Sequence, residues 1–248
     1  DEELAALDAA GGKTFDPAAV LEEQRAVLNH FLNNTFGTPG APHLQGDDIT
    51  NAAAERLGLT PERLVEGGRL YRRNCLQCHN LPGDGRGPSG IWIYPHPRDF
   101  RRGSFKFTST GDSGKPRLVD IQHTIANGLK GTAMNAFALL SERDRELAAL
   151  FVVYLVIRGQ VEFQTLAAIA NGSDEIDGDT AGYARERLHM ALREWLRSLE
   201  PNSAMNTPEW FDLREGSQHE ESVRRGFELF TRSNGAGCIA CHEDFGRK

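Results

Sequence analysis

Apolar residues recur along most of this chain at spacings of three and four, the rhythm of helices with one buried face. From Ser141 onward, Leu147, Leu150, Phe151, Tyr154 and Leu155 fall on such a rhythm. Eleven apolar residues run unbroken from Leu147 to Ile157, too few to span a bilayer as a helix, so this segment predicts a buried helix beginning at Ser141. A second amphipathic pattern places Leu188, Leu192, Trp195, Leu196 and Leu199 on one face. Near the start, Asp16 followed by Pro17 reads as an N-cap with proline at the first helical position, for a helix running to about Asn34. Thr60, Pro61 and Glu62 repeat that signature. No convincing two-residue alternation appears, so few strands are expected and the fold should be mainly α.

Breaks in the pattern divide the chain into four. Residues 1–60 form a helical extension interrupted by the Gly/Pro-rich loop 37–42, and residues 61–160 form a first domain. Residues 161–215 read as a helical linker with the polar break Asn171-Gly172-Ser173-Asp174, and residues 216–248 as the start of a second domain, apparently incomplete. An internal echo supports the division: Gly68-x-x-Tyr71 and Gly226-x-x-x-Phe230 each precede a similar cysteine motif. In each, the glycine would let another helix approach while the aromatic packs the crossing.

Composition changes little: 39% hydrophobic and 25% charged residues in a 248-residue chain are ordinary globular values. The net charge of −7 conceals an asymmetry, because residues 61–140 carry 12 Lys+Arg against 6 Asp+Glu. A basic first domain in an acidic chain would steer an acidic redox partner, or its arginines would neutralise the acid groups of a cofactor. Nothing in this balance asks for nucleic acid. The chain opens on Asp1-Glu2-Glu3, expected of a mature or trimmed N-terminus. Membrane association through a segment outside this chain stays open.

The chemistry lies in the four cysteines. They form Cys75-Leu76-Gln77-Cys78-His79 and Cys238-Ile239-Ala240-Cys241-His242, with none left over. C-x-x-C-H is the attachment signature of c-type haem. Two thiols in one helical turn can each bond a haem vinyl group, and the next histidine is then close enough to ligate the iron. A redox dithiol or half of a zinc site would explain one copy; two full copies, each behind a Gly-aromatic helix, favour two covalently attached haems, with His79 and His242 as iron ligands.

Around the first motif, residues 68–79 resemble the first helix of a class I cytochrome c, and Gly83-Asp84-Gly85-Arg86-Gly87-Pro88 is similar to a loop of many bacterial members. The resemblance covers residues 61–160 well and 216–248 as far as they go. It implies that the carbonyl of Pro88 accepts the Nδ1 proton of the haem histidine, strengthening it as a ligand. It also implies Met134 as the distal ligand, in a Gly131-Thr132-Ala133-Met134-Asn135-Ala136-Phe137 loop where Asn135 stands in place of the family's proline. Its thioether would favour reduced iron and raise the potential; His123 is the rival. Residues 97–110 resemble an insertion of a bacterial subgroup, making Trp92, Arg98 and Arg101 candidates for the haem propionates, with a solvated basic loop as the competing reading.

After His242 only six residues follow, so the second distal ligand lies further along a longer chain, on another subunit, upstream at His189, Met190, Met205 or His219, or is missing. The leading expectation is therefore a dihaem electron-transfer protein, not an enzyme, serving redox partner proteins or a membrane respiratory complex. A dihaem peroxidase and a haem-based sensor are the alternatives. The family resemblance implies the periplasm or the outer face of the cytoplasmic membrane, since c-type haem is attached outside the cytoplasm.

Overall fold

The computed structural model describes residues 16, 19–111, 114–173, 176, 178–200, 217–231 and 238. Its chain divides into two compact units, Asp1–Met205 and Asn206–Lys248. In chain order the elements are α1 (Glu22–Phe36), β1 (Gly37–Thr38), β2 (Ala41–Pro42), α2 (Asp48–Leu57), α3 (Pro61–Asn74), α4 (Leu76–His79), α5 (Leu118–Asn127), α6 (Glu142–Ala170), α7 (Thr180–Arg197) and α8 (Ser217–Thr231). Short 3-10 turns occupy Gly90–Trp92 and Phe100–Arg102. The fold is mainly helical, as the apolar rhythm predicts. The described strands are only the pair β1 and β2, antiparallel with Gly37 opposite Pro42.

Helix α6 is the spine of the first unit. Ser141 caps it by accepting the Asp144 N–H at 3.1 Å, and every residue from Leu147 to Ile157 is buried. A helix apolar all round needs neighbours on every side, and α1, α3, α5, α7 and the Phe100–Arg102 turn all pack against it. Each fully buried Leu or Phe contributes about 1.5–3 kcal/mol. Among the described residues no helix is long and apolar enough to cross a membrane.

The α3–α6 crossing rests on two small residues. A Cβ on Gly67 would stand 2.3 Å from the Leu147 backbone oxygen, and one on Gly68 would stand 2.9 Å from Phe151 Cε2. One turn on, Tyr71 packs against Phe151 with centroids 5.3 Å apart. Across the ends of the two helices, Arg63 pairs with Glu146 and Arg143 with Glu66. Gly67→Ala therefore sets a gain in helix propensity of about 1 kcal/mol against overpacking of about 1–3 kcal/mol. The obstacle is backbone that cannot swing away, so overpacking wins. The expected result is a lower denaturant midpoint with unchanged slope; an equal or higher midpoint would show that the helices are not in contact there.

The N-terminal segment and α7 complete this unit. Tyr154 donates its hydroxyl to the Phe36 carbonyl at 2.7 Å, tying α6 to α1, and burial pushes that phenol up to about 12. The first described helix begins at Glu22 with Leu21 as N-cap, five residues later than the Asp16–Pro17 signature suggests. The Asp16 carbonyl instead accepts the Ala19 N–H in a local turn. On α7, Leu188, Leu192 and Trp195 are buried as their spacing predicts, whereas Leu199 lies beyond the helix and is exposed. His189 bonds Asp47 at 2.9 Å. Asp47 is also the N-cap of α2, and the Thr50 N–H, with help from His189, holds its carboxyl below its ordinary value. Met190, an upstream candidate for the second distal ligand, is 40% exposed on α7.

In the second unit the described helix is α8. Its strongly amphipathic sequence leaves Val223, Phe227 and Leu229 exposed among the described residues.

Candidate haem-binding site

Helix α3 delivers the first cysteine motif. Thr60 accepts the Arg63 N–H at its N-cap and Pro61 occupies the first turn. At Cys75 the chain breaks register and restarts as the single turn α4. Cys75, Cys78 and His79 thus share one turn, with the Cys78 and His79 amides both donating to the Cys75 carbonyl at 3.2 and 2.9 Å. Both cysteines are thiols outside any disulfide. Burial, and then the neighbouring Cys78, push the Cys75 thiol up to about 11, so it is protonated at neutral pH.

A turn this short leaves carbonyls without helical partners, and the glycine loop supplies them. Gly85 N–H donates to His79 O at 3.2 Å, Gly87 N–H to Cys78 O at 3.0 Å and Ser89 N–H to Gln77 O at 2.9 Å. The approach is close enough that a Cβ on Gly87 would stand 2.4 Å from Gln77 O, and one on Gly90 2.5 Å from Cys78 O. Asn80 ends α4 at φ +63°, and its carbonyl accepts the Tyr71 hydroxyl at 2.7 Å. The spacing of Gly85, Gly87 and Gly90 was therefore a readable signal for backbone pressed on backbone.

His79 is held from two directions. Its Nδ1 donates to the Arg98 carbonyl at 3.3 Å, and its ring stacks on Phe100 with centroids 4.7 Å apart and planes 11° from parallel. Burial lowers the imidazole below its ordinary value, with the Arg98 carbonyl acting the other way, so the ring is neutral at neutral pH. This corrects the expectation for Pro88: the acceptor facing Nδ1 is Arg98 O, while Pro88 is exposed and turned outward at the end of the glycine loop. With Nδ1 so engaged, Nε2 is the nitrogen left for iron.

The expected propionate partners are placed differently from one another. Arg101 is committed to Asp99, through Nε at 2.9 Å and a second guanidinium nitrogen at 2.8 Å. Its stem lies against α6, where a Cβ on Gly159 would meet Arg101 Cγ at 2.7 Å. That corrects the reading of Arg101 as a free anion-binding arm, because a bidentate carboxylate already fills the fork. Arg98 contributes its backbone oxygen, and its side chain is exposed. Trp92 is 83% exposed, beside Ile91 and the 90% exposed Tyr94.

Met134 sits in a built loop. Gly128 ends α5 at φ +65°, Leu129 N–H donates to Met134 O at 3.1 Å, and Met134 N–H donates to Thr132 Oγ1 at 3.1 Å. Phe137 N–H returns to Ile125 O at 3.0 Å. The methionine is half-buried, whereas His123 is exposed on α5. Both the cysteine turn, through α3, and the methionine loop, through α5, are carried by helices packed on α6.

These residues fit a covalently held haem: two thiols and a neutral imidazole with a fixed ring share one turn, and large apolar side chains stand exposed beside it. Among the described residues no three His, Cys, Asp or Glu cluster to hold a metal ion by themselves. Of the second motif, Cys238 is described and half-buried; Cys241 and His242 lie outside the described residues, as do Met205 and the His219 side chain.

Over the first motif this arrangement is similar to that of a c-type cytochrome domain. Residues 62–152 match the family model described as cytochrome c oxidase, cbb3-type, subunit III. No curated protein matches the chain. Among solved structures it is similar to a chain of the reducing HAO-like protein complex of Kuenenia stuttgartiensis, at 20% identity and a TM-score of 0.45. That similarity covers 71% of this chain and 60% of the other.

Proposed function

We propose that the protein is a dihaem electron-transfer protein, with haem c on Cys75, Cys78 and His79 and a second on Cys238, Cys241 and His242. The observation that carries this reading is His79, anchored through Nδ1 to the Arg98 carbonyl, in the same turn as two thiols. Haem iron supplies one-electron redox chemistry; the chain's residues attach it, fix its axial ligand and shape its surroundings. Met134 is the distal ligand of the first haem in this reading, and its soft sulfur raises the potential. The exposed Trp92 and Arg98 side chains remain available to the propionates. The basic surface of residues 61–140 favours docking of acidic redox partner proteins, a membrane respiratory complex among them. The cellular site in this reading is the periplasm or the outer face of the cytoplasmic membrane, since c-type haem is attached outside the cytoplasm.

The test is the spectrum of the reduced protein under carbon monoxide. A six-coordinate, low-spin haem on the first motif that does not shift supports electron transfer. Gas binding there would overturn it in favour of a catalytic or sensing role.

A further inference from the structure

We propose that Phe100, carried by the segment after the glycine loop, sets the orientation of the His79 ring. This rests on the haem reading above and deepens it. The imidazole touches this segment twice, in perpendicular senses. The Arg98 carbonyl takes its Nδ1–H in the plane of the ring, and Phe100 covers its face. One contact fixes the tilt and the other the rotation, so the ring keeps a single orientation about its bond to iron.

Phe100 is itself immobilised. Its N–H donates to Gly83 O at 2.7 Å, and a Cβ on Gly83 would stand 2.9 Å from Phe100 Cδ2. Beyond it the segment is clamped to the helical spine. The chain at Gly103 runs against Gln160 of α6. The buried Lys115 donates to Gly103 O at 2.7 Å and pairs with Glu194 of α7 at 3.2 Å. Phe105 meets Trp195 edge-on at 6.1 Å. A loop held at this many points supplies a fixed acceptor and a fixed ring face. Phe100 is thus a positioning residue, acting through His79.

The test uses the full haem-loaded chain and the paramagnetically shifted haem methyl signals of the oxidised protein, which report the axial ring's orientation. Phe100→Leu keeps bulk but loses the flat face. It should redistribute the methyl shifts of the first haem and speed exchange of the His79 Nδ1 proton, while the second haem serves as internal reference. Phe100→Tyr, which restores the ring, should return the wild-type pattern. Gly83→Ala, which displaces the Phe100 ring without replacing it, should reproduce the Leu effect, and covers the case in which Phe100→Leu fails to fold. Arg98→Ala should leave the Nδ1 proton as protected as in the wild type, because the acceptor is backbone. Unmoved methyl shifts in both Phe100→Leu and Gly83→Ala would overturn the proposal. Absence of covalent haem on Cys75 and Cys78 in the wild-type mass spectrum would instead overturn the function reading on which it stands.

Discussion

Replacing Cys75 and Cys78 together by alanine should lower the mass of the purified protein by one haem beyond the change in side chains and, in the proposed dihaem reading, leave a haem on Cys238 and Cys241 in place. The expectation follows from the geometry of a single turn. The two thiols lie within one turn whose carbonyls are capped by the amides of Gly85, Gly87 and Ser89, so no other side chain can take over their role without rebuilding that loop. Cys75 and Cys78 are both thiols, and each forms one thioether in the proposed reading. The single variants should retain haem through one bond, released more readily on denaturation. Retention of two covalent haems in the double variant would sink the attachment argument at this motif. Stability should fall as well, because a prosthetic group bound only by the folded state contributes to its stability.

The second large effect is at the distal side. Met134→Ala should abolish the weak long-wavelength Met–iron band of the oxidised protein, lower the potential of one haem and open that iron to carbon monoxide. The direction comes from ligand chemistry: a thioether favours ferrous iron, and water or a harder ligand in its place favours ferric. The fold should survive, since Met134 is half-buried and its loop is held by backbone bonds at Leu129 and Phe137, with Thr132 Oγ1 binding the main chain. An unchanged band and potential would reassign the ligand. The same measurement on His123→Ala separates the rival, which sits exposed on α5 and should leave both unchanged.

Much of this was legible in the chain. Thr60 before Pro61 and Ser141 before Glu142 opened α3 and α6 where the capping chemistry put them, because a cap is a local device written in adjacent residues. The Gly68–Tyr71 pattern marked the α3–α6 crossing, where a Cβ on Gly68 would meet the Phe151 ring, but the glycine pressed on the Leu147 backbone is its neighbour Gly67, which the pattern did not single out. What escaped was non-local or had no side-chain signature. The Arg98 carbonyl is an acceptor any residue possesses, and only the folded path of the chain brings it to His79. Arg101 read as an anion-binding arm because the sequence does not say which cation Asp99 will engage; two residues apart, the pair closes on itself. The start of α1 slipped because Asp16 found a local turn instead of a helix to cap.

Helix α6 continues to Ala170, well past residue 152 where the cytochrome family match ends. Its distal half, with Val161, Thr165 and Ile169 buried, belongs to the packing of the flanking segments, as Leu188, Leu192 and Trp195 do from the side of α7. One uninterrupted rod of about 44 Å is therefore shared between the haem-bearing part and the rest. A cut at the edge of the family match would sever that rod in mid-turn and expose raw apolar faces on both pieces. The smallest piece able to fold by itself is thus larger than the haem-bearing segment, and the chain cannot be read as an independent cytochrome with ornaments attached.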